Sequence, residues 1–290
     1  VASPSGDDPV RFTVVGHGGV TLVGDRRGDR SSRPVLFLHG GGQTRHSWGG
    51  AARRVAAAGW QAVTIDARGH GESDWADSDY RLSSFAADVV LVAEALGGQP
   101  VLVGASLGGL TTILLEGDVA PGTAAGIVLV DIIPEMEQAG ADRIQAFMSD
   151  RLDEGFASLE EVADAVAAYN PHRPRPDDLE GLRKNLRERD GRWYWHWDPD
   201  FVGGTADFPP AEIMDTERLN AAVAAIEVPM MLVRGRMSDL VSEEATRSFL
   251  DRFPHVLFAD VSGAGHMVAG DRNDAFTAAV LGFLDGLASG

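Results

Sequence analysis

The chain has no cysteine among its 290 residues. Disulfides, thiolate metal sites and cysteine nucleophiles are therefore excluded, and the redox compartment is left undetermined. Positive charge is scarce: 25 Lys and Arg stand against 43 Asp and Glu, a net charge of −18. A phosphate backbone would be repelled by most of such a surface, which argues against a nucleic-acid partner. No apolar run approaches the ~20 residues that a membrane span needs, so a soluble protein with no membrane partner is expected. There is no H-E-x-x-H, and no G-x-G-x-x-G in a strand–helix context, so neither a metal nor an organic cofactor is expected. The polar segment Val1–Pro9 lacks the charged-then-apolar pattern of a signal peptide and reads as a loose tail. A cytoplasmic location is the matching expectation, and homo-oligomerisation is left open.

What is present is an alternation of apolar strands and helices. Val10–Val15 and Val20–Arg26 read as an antiparallel entry pair about a His17-Gly18-Gly19 turn. Pro34–Leu38, Trp60–Ile65, Pro100–Val103 and Gly126–Val130 are near-continuous apolar runs, with helices predicted over Ser47–Ala58 and Ser83–Leu96. Such strands belong to a parallel sheet covered on both faces. The pattern breaks from Pro134 to Glu227 and resumes with Val228–Val233, a helix over Ser242–Phe253, Val256–Asp260 and a last helix near Asn273–Leu287. The break carries helix signals: Ile144, Phe147, Met148 and Leu152 on one face, and Ser158 with Glu161 as a capping box. Asp177 with Glu180 repeats that signal ahead of Leu182 and Leu186. The expected architecture is a core of residues 1–133 and 228–290 with a helical cap, 134–227, inserted before the penultimate strand. A cap there would cover the carboxyl ends of the strands, where open α/β sheets bind ligands.

Gly104-Ala105-Ser106-Leu107-Gly108 lies between an apolar strand and a helix-like run. G-x-S-x-G at that junction is a nucleophile elbow, a sharp turn that exposes the serine hydroxyl above the sheet. A serine needs a base, and the base needs an orienting carboxylate. His266, in the glycine-rich loop after the last strand, is the expected base; His172, His196 and His255 are the downstream rivals. Two acids compete. Asp239 follows the strand Val228–Val233 and is preferred, and Asp131 at the end of Gly126–Val130 is the alternative. The oxyanion donors are expected from the N–H of Leu107 and from His39-Gly40-Gly41-Gly42, with Gly41 first and Gly42 as its alternative. Substrate contacts are expected from His46, Trp48, Leu107, Met267 and the aromatic run Trp193, Trp195, Trp197, part of which anchors the cap instead. Arg183, Lys184, Arg187, Arg189 and Arg192 read as a solvated helix face.

Five segments together resemble the α/β-hydrolase fold: Leu36–Gly42, Asp66–Ser73, Val103–Gly109, Arg234–Asp239 and Gly263–His266. The Asp-x-Arg-Gly-His-Gly-x-Ser segment is a hallmark of that family with a structural role, which makes His70 non-catalytic. The serine at 106 separates the chain from the aspartate-nucleophile dehalogenase and epoxide hydrolase branches. Gln43–Trp48 and Gly265–Val268 look closest to bacterial arylesterases and cofactor-free perhydrolases. The resemblance implies a serine hydrolase of a carboxylic ester or lactone, a small-molecule substrate, and no cofactor. The alternatives are a carbon–carbon bond hydrolase of ring-cleavage products and a non-catalytic ligand-binding member of the fold.

Overall fold

A computed structural model describes residues 8–171, 174–203, 215–271 and 273–289. Part of the tail at Val1–Pro9 and the rival His172 lie outside the described residues. The strands are β1 (Val10–Val15), β2 (Thr21–Arg27), β3 (Pro34–Leu38), β4 (Gln61–Ile65), β5 (Val101–Ala105), β6 (Gly126–Val130), β7 (Leu186–Arg189), β8 (Arg192–Trp195), β9 (Met230–Gly235) and β10 (Leu257–Val261). Eight of them form one sheet in the order β1-β2-β4-β3-β5-β6-β9-β10. β1 with β2 and β2 with β4 pair antiparallel; every other pair is parallel. This is the mostly parallel, helix-flanked sheet expected from the alternation.

The helices named below are α1 (Gly49–Ala57), α2 (Leu82–Leu96), α3 (Leu107–Leu114), α4 (Gln138–Ser149), α5 (Leu159–Tyr169), α6 (Leu179–Leu182), α7 (Pro199–Gly203), α8 (Thr216–Ala225), α9 (Glu243–Arg252), α10 (Val268–Asp271) and α11 (Asn273–Ser289). The central strands bury both faces because their side chains alternate between two apolar layers. Leu36, Leu38, Leu102, Ile127 and Leu129 pack toward α2, α3, α8 and α9. Val35, Phe37, Val101, Val103, Val128 and Val130 pack toward α1 and α11, against Trp48, Val55, Phe276 and Phe283.

Between β6 and β9 the chain forms a third apolar cluster, with Met148, Phe156, Leu159, Val162, Leu186, Trp195, Trp197 and Val202. Two expectations change here. First, α8, inside the expected cap 134–227, places Leu219, Ala222 and Val223 in the main core. Second, Leu186 opens a hairpin, β7–β8, instead of continuing a helix. Ser158 caps α5 as expected, while α6 is capped by Asp178, one residue after the predicted Asp177.

The basic run is not one helix face: Arg187, Arg189 and Arg192 lie on the hairpin, and Arg183 and Lys184 on a short turn before it. Its arginines cover aromatic rings: Arg183 over Trp193 at 4.7 Å, Arg187 over Trp75 at 4.8 Å and Arg189 over Tyr194 at 4.1 Å. These are cation–π contacts, which keep the charge near water while shielding the ring.

Candidate active site

Ser106 stands at the junction of β5 and α3 with φ 47° and ψ −116°. That conformation is sparsely populated for a non-glycine residue and persists only where packing enforces it. The enforcement comes from the flanking glycines. A Cβ on Gly104 would overlap the Gly108 carbonyl, and one on Gly108 would overlap the Leu38 carbonyl. The strand, the turn and the helix can thus cross closely only without side chains at 104 and 108. Ser106 O accepts from the N–H groups of Gly109 and Leu110, each at 2.9 Å, which starts α3 immediately behind the turn.

The expected base and the alternative acid come from the ends of β10 and β6, with β9 between them. His266 lies in the loop after β10, held close to β9 because a Cβ on Gly235 would overlap the Gly265 carbonyl. Its Nδ1 sits 2.8 Å from Asp131 Oδ2. Asp131 is fully buried, and its φ of 51° turns the carboxylate across the end of β6 toward the β9 loop. Gly235 N–H donates to Asp131 Oδ1 at 2.8 Å, and Ser238 Oγ donates to Oδ2 at 2.5 Å. Ser238 Oγ in turn accepts from Leu240 N–H and Val241 N–H, both at 3.1 Å, so its own proton is left for Asp131. The buried charge therefore has three donors, which is what a buried carboxylate requires.

Asp239 does not reach His266. Its carboxylate pairs with Arg143 of α4 at 2.6 Å. The turn after β9 carries Ser238, not Asp239, to the strand ends, and Asp239 faces the inserted segment. Of the two candidate acids, the structure brings Asp131 to His266 and leaves the preferred one, Asp239, on Arg143. Both carboxylates follow adjacent strands, so spacing alone did not separate them.

Among the oxyanion donors the structure again discriminates. Gly42 N–H donates to His70 Nε2 at 3.1 Å, so the alternative donor is already engaged. Gly40 N–H reaches Gln43 Oε1 at 3.3 Å. Gly41 N–H has no hydrogen-bond partner among the described residues. Leu107 opens α3, and its N–H is one of the helix's orphan donors. Gly40 packs so tightly on Ser106 that a Cβ there would lie 3.2 Å from the serine Cβ. Both expected donors, Gly41 and Leu107, thus belong to segments that touch the nucleophile.

Ser106, Gly41, His266 and Met267 line a cavity of about 300 Å³ whose apolar walls include Phe147, Met148, Val162, Val166, Trp195 and Trp197. Ser106, Gly41 and Leu107 also line a second cavity of about 350 Å³, walled by Leu110, Met136, Ile144, Phe201 and Leu240. Of the expected substrate contacts, Trp195, Trp197 and Met267 line the first cavity and Leu107 the second. Trp193, His46 and Trp48 line neither. Trp193 lies under Arg183. His46 is exposed. Trp48 is buried on the opposite sheet face, 5.3 Å from the Phe37 ring and 5.7 Å from Phe276. Proximity in sequence to the oxyanion loop misled on both residues, because α1 departs from the loop toward the far layer.

His70 and His196 form a structural element that spacing did not reveal. Both are buried, as is His39, and no side chain in this trio is more than 2% exposed. Burial pushes His70 down to about 3, and His39 and His196 are also lowered, first by desolvation. Arg68 forks onto Asp88, with Nε–Oδ2 at 2.7 Å and Nη2–Oδ1 at 2.8 Å, which anchors the turn that carries His70.

Comparison with known proteins agrees with this fold. The family model of the α/β hydrolase fold matches residues 33–272. The esterase Rv0045c of Mycobacterium tuberculosis is 34% identical over 266 residues, covering 88% of this chain and 84% of its own. A crystal structure of that esterase superposes with a TM-score of 0.72 at 31% identity, covering 98% of this chain and 93% of the other. A non-heme chloroperoxidase of Kitasatospora aureofaciens is 26% identical over 265 residues, covering 87% of this chain and 92% of its own. With the strained serine turn, the mostly parallel sheet and a family match over most of its length, the chain belongs to the α/β-hydrolase fold family.

Proposed function

We propose that the protein is a serine hydrolase of carboxylic esters or lactones, working through an acyl-enzyme. The observation that carries this reading is the His266–Asp131 pair, 2.8 Å apart, beside a cavity that also holds Ser106 on its strained turn. With Nδ1 engaged by Asp131, Nε2 is the ring nitrogen left to take the Ser106 proton as Oγ attacks the substrate carbonyl. Asp131 fixes that tautomer and stabilises the imidazolium. The N–H groups of Gly41 and Leu107 receive the oxyanion. His266 then protonates the leaving alkoxide and activates a water that releases the acid. The name of the 34%-identical mycobacterial relative, an esterase, supports the ester class.

The inserted segment between β6 and α8 acts as a cap. Its residues Ile144, Met148, Trp195 and Trp197 wall the space above Ser106, and they favour apolar or aromatic groups on a small-molecule substrate. Hydrolysis of a panel of p-nitrophenyl esters by the wild type and by Ser106→Ala tests the reading. Turnover that vanishes with the serine supports it. A wild type inert on every ester overturns it and points to a ligand-binding member of the fold. Turnover of ring-fission diketones with weak ester activity points to carbon–carbon bond hydrolysis.

A further inference from the structure

We infer that His70 and His196 clamp Gly42 between two neutral imidazoles and thereby set the oxyanion loop, with His196 as a positioning residue supplied by the inserted segment. The inference rests on the hydrolase reading only for its effect on turnover.

His70 Nδ1 lies 2.9 Å from the Arg68 carbonyl, which can only accept, so Nδ1 carries the proton. Nε2 is then bare, and it accepts from Gly42 N–H at 3.1 Å. His196 has the opposite arrangement. Its Nδ1 accepts from Gly71 N–H at 2.7 Å, so its proton is on Nε2, which faces the Gly42 carbonyl at 3.3 Å. One ring thus holds the N–H of Gly42 and the other holds its C=O. Gly42 has φ 72°, in the left-handed region, and follows directly on Gly41. The N–H of Gly42 lies in the peptide plane shared with Gly41 and its C=O in the next plane, so fixing both fixes the turn that leads from the expected oxyanion donor.

The inserted segment is fastened to the same turn elsewhere. Arg187 Nη2 donates to the Gly71 carbonyl at 3.1 Å, and Asp198 N–H donates to the Gly69 carbonyl at 2.9 Å. The clamp therefore ties the wall of the substrate cavity to the oxyanion loop through the buried turn at 69–71.

A second N–H proton on either ring would convert an acceptor into a donor facing another donor. The groups around the two rings do not favour one. His39 and Trp197 lie at 5.2 and 5.3 Å from His70 and His196, the two rings are 5.8 Å from each other, and Phe201 lies 4.8 Å from His70. Arg187 adds positive charge on the His196 side. Asp198 is engaged by Tyr80 Oη at 2.6 Å, and Asp66 acts chiefly on His39 and Arg45.

Two measurements test this. Long-range ¹H–¹⁵N spectra of histidine-labelled wild type should show His70 as the Nδ1–H tautomer and His196 as the Nε2–H tautomer, both neutral from pH 5.5 to 8. The opposite tautomer on either ring, or titration of either within that range, overturns the clamp whether or not the protein is an esterase. Kinetically, His196→Phe keeps the bulk and removes both hydrogen bonds. It should lower kcat by about 10²-fold, the scale of a lost oxyanion donor, with KM changed by less than about threefold. His196→Gln carries one acceptor and one donor and should recover at least about tenfold of that loss. Should the wild type be inert on esters, the same ordering is read from the rate at which a fluorophosphonate labels Ser106. Wild-type rates in His196→Phe, or a Gln variant no better than Phe, would contradict the positioning role.

Discussion

Asp131 Oδ2 lies 2.8 Å from His266 Nδ1, while Asp239, the carboxylate on the adjoining loop, is bound 2.6 Å from Arg143. The two acids should therefore behave differently on substitution. Asp131→Asn should lower kcat by about 10³–10⁴-fold, because the amide can present its N–H to the ring and reverse the tautomer. Asp239→Asn breaks a half-exposed ion pair and should stay within about threefold. Steady-state kinetics on one p-nitrophenyl ester decide it, and equal losses for both variants would overturn the assignment.

Ser238 is the next check on the same carboxylate. Ser238→Ala removes a 2.5 Å donor from a buried charge and leaves Leu240 and Val241 N–H groups without their acceptor. A charge-assisted hydrogen bond is worth about 1.5–3 kcal/mol. A kcat about tenfold lower, with urea-unfolding stability reduced by ~1–3 kcal/mol, is the expected result.

The elbow predicts a stability effect without chemistry. Ala at Gly104 or Gly108 places a methyl on backbone that has no room to yield. Either variant should lose about 3 kcal/mol or more, on the upper side of overpacking costs, because the obstacle is backbone rather than a flexible side chain. Midpoints of urea denaturation would show it, and a wild-type midpoint in both would contradict the crossing geometry.

The buried histidines predict acid sensitivity. In the unfolded chain each protonates near its ordinary value of 6.5, whereas folded His70 is held down to about 3. Unfolded chains therefore bind the extra proton between about pH 6.5 and 3, and stability falls as pH falls through that window. From pH 7 to 5, His70 alone should account for about 2 kcal/mol of lost stability, and His39 and His196 act in the same direction. Denaturation midpoints at the two pH values test the sign. A protein equally stable at pH 5 would show that these rings are not neutral in the fold.

Val166 on α5 lines the first cavity together with Met267. Val166→Trp should fill it, raising KM for long-chain or aromatic esters by about tenfold while leaving acetate esters near wild type, since one such pocket contact is worth about 1–3 kcal/mol. An unchanged chain-length profile would place the substrate elsewhere.

Much of this site was legible before any coordinates. Ser106, His266 and the strand that precedes each were marked by local signals: apolar strands buried on two faces, glycines at fixed offsets, a helix start after the serine. Those signals are local because a tight crossing has to be built from consecutive residues. The choice of Asp131 was not local. β6 and β9 are neighbours in the sheet, so their two loops converge on His266, and the outcome turned on one backbone angle and on which residue of the next turn faces inward. Trp48 and His46 were misplaced for a related reason, because closeness to Gly42 along the chain says nothing about the layer in which a side chain ends. His196 carried no local signal at all; only folding sets it 154 residues away against the Gly42 carbonyl.

By itself, then, the sequence determined the sheet, the nucleophile turn and the kind of chemistry, since each follows from periodicity and from steric demands within a few residues. The tertiary structure alone decided which carboxylate meets His266, which N–H groups of the glycine loop are already engaged and which aromatics wall the cavity. Those depend on how separate strand ends and an inserted segment meet, and hydrogen bonds across such distances are fixed by packing.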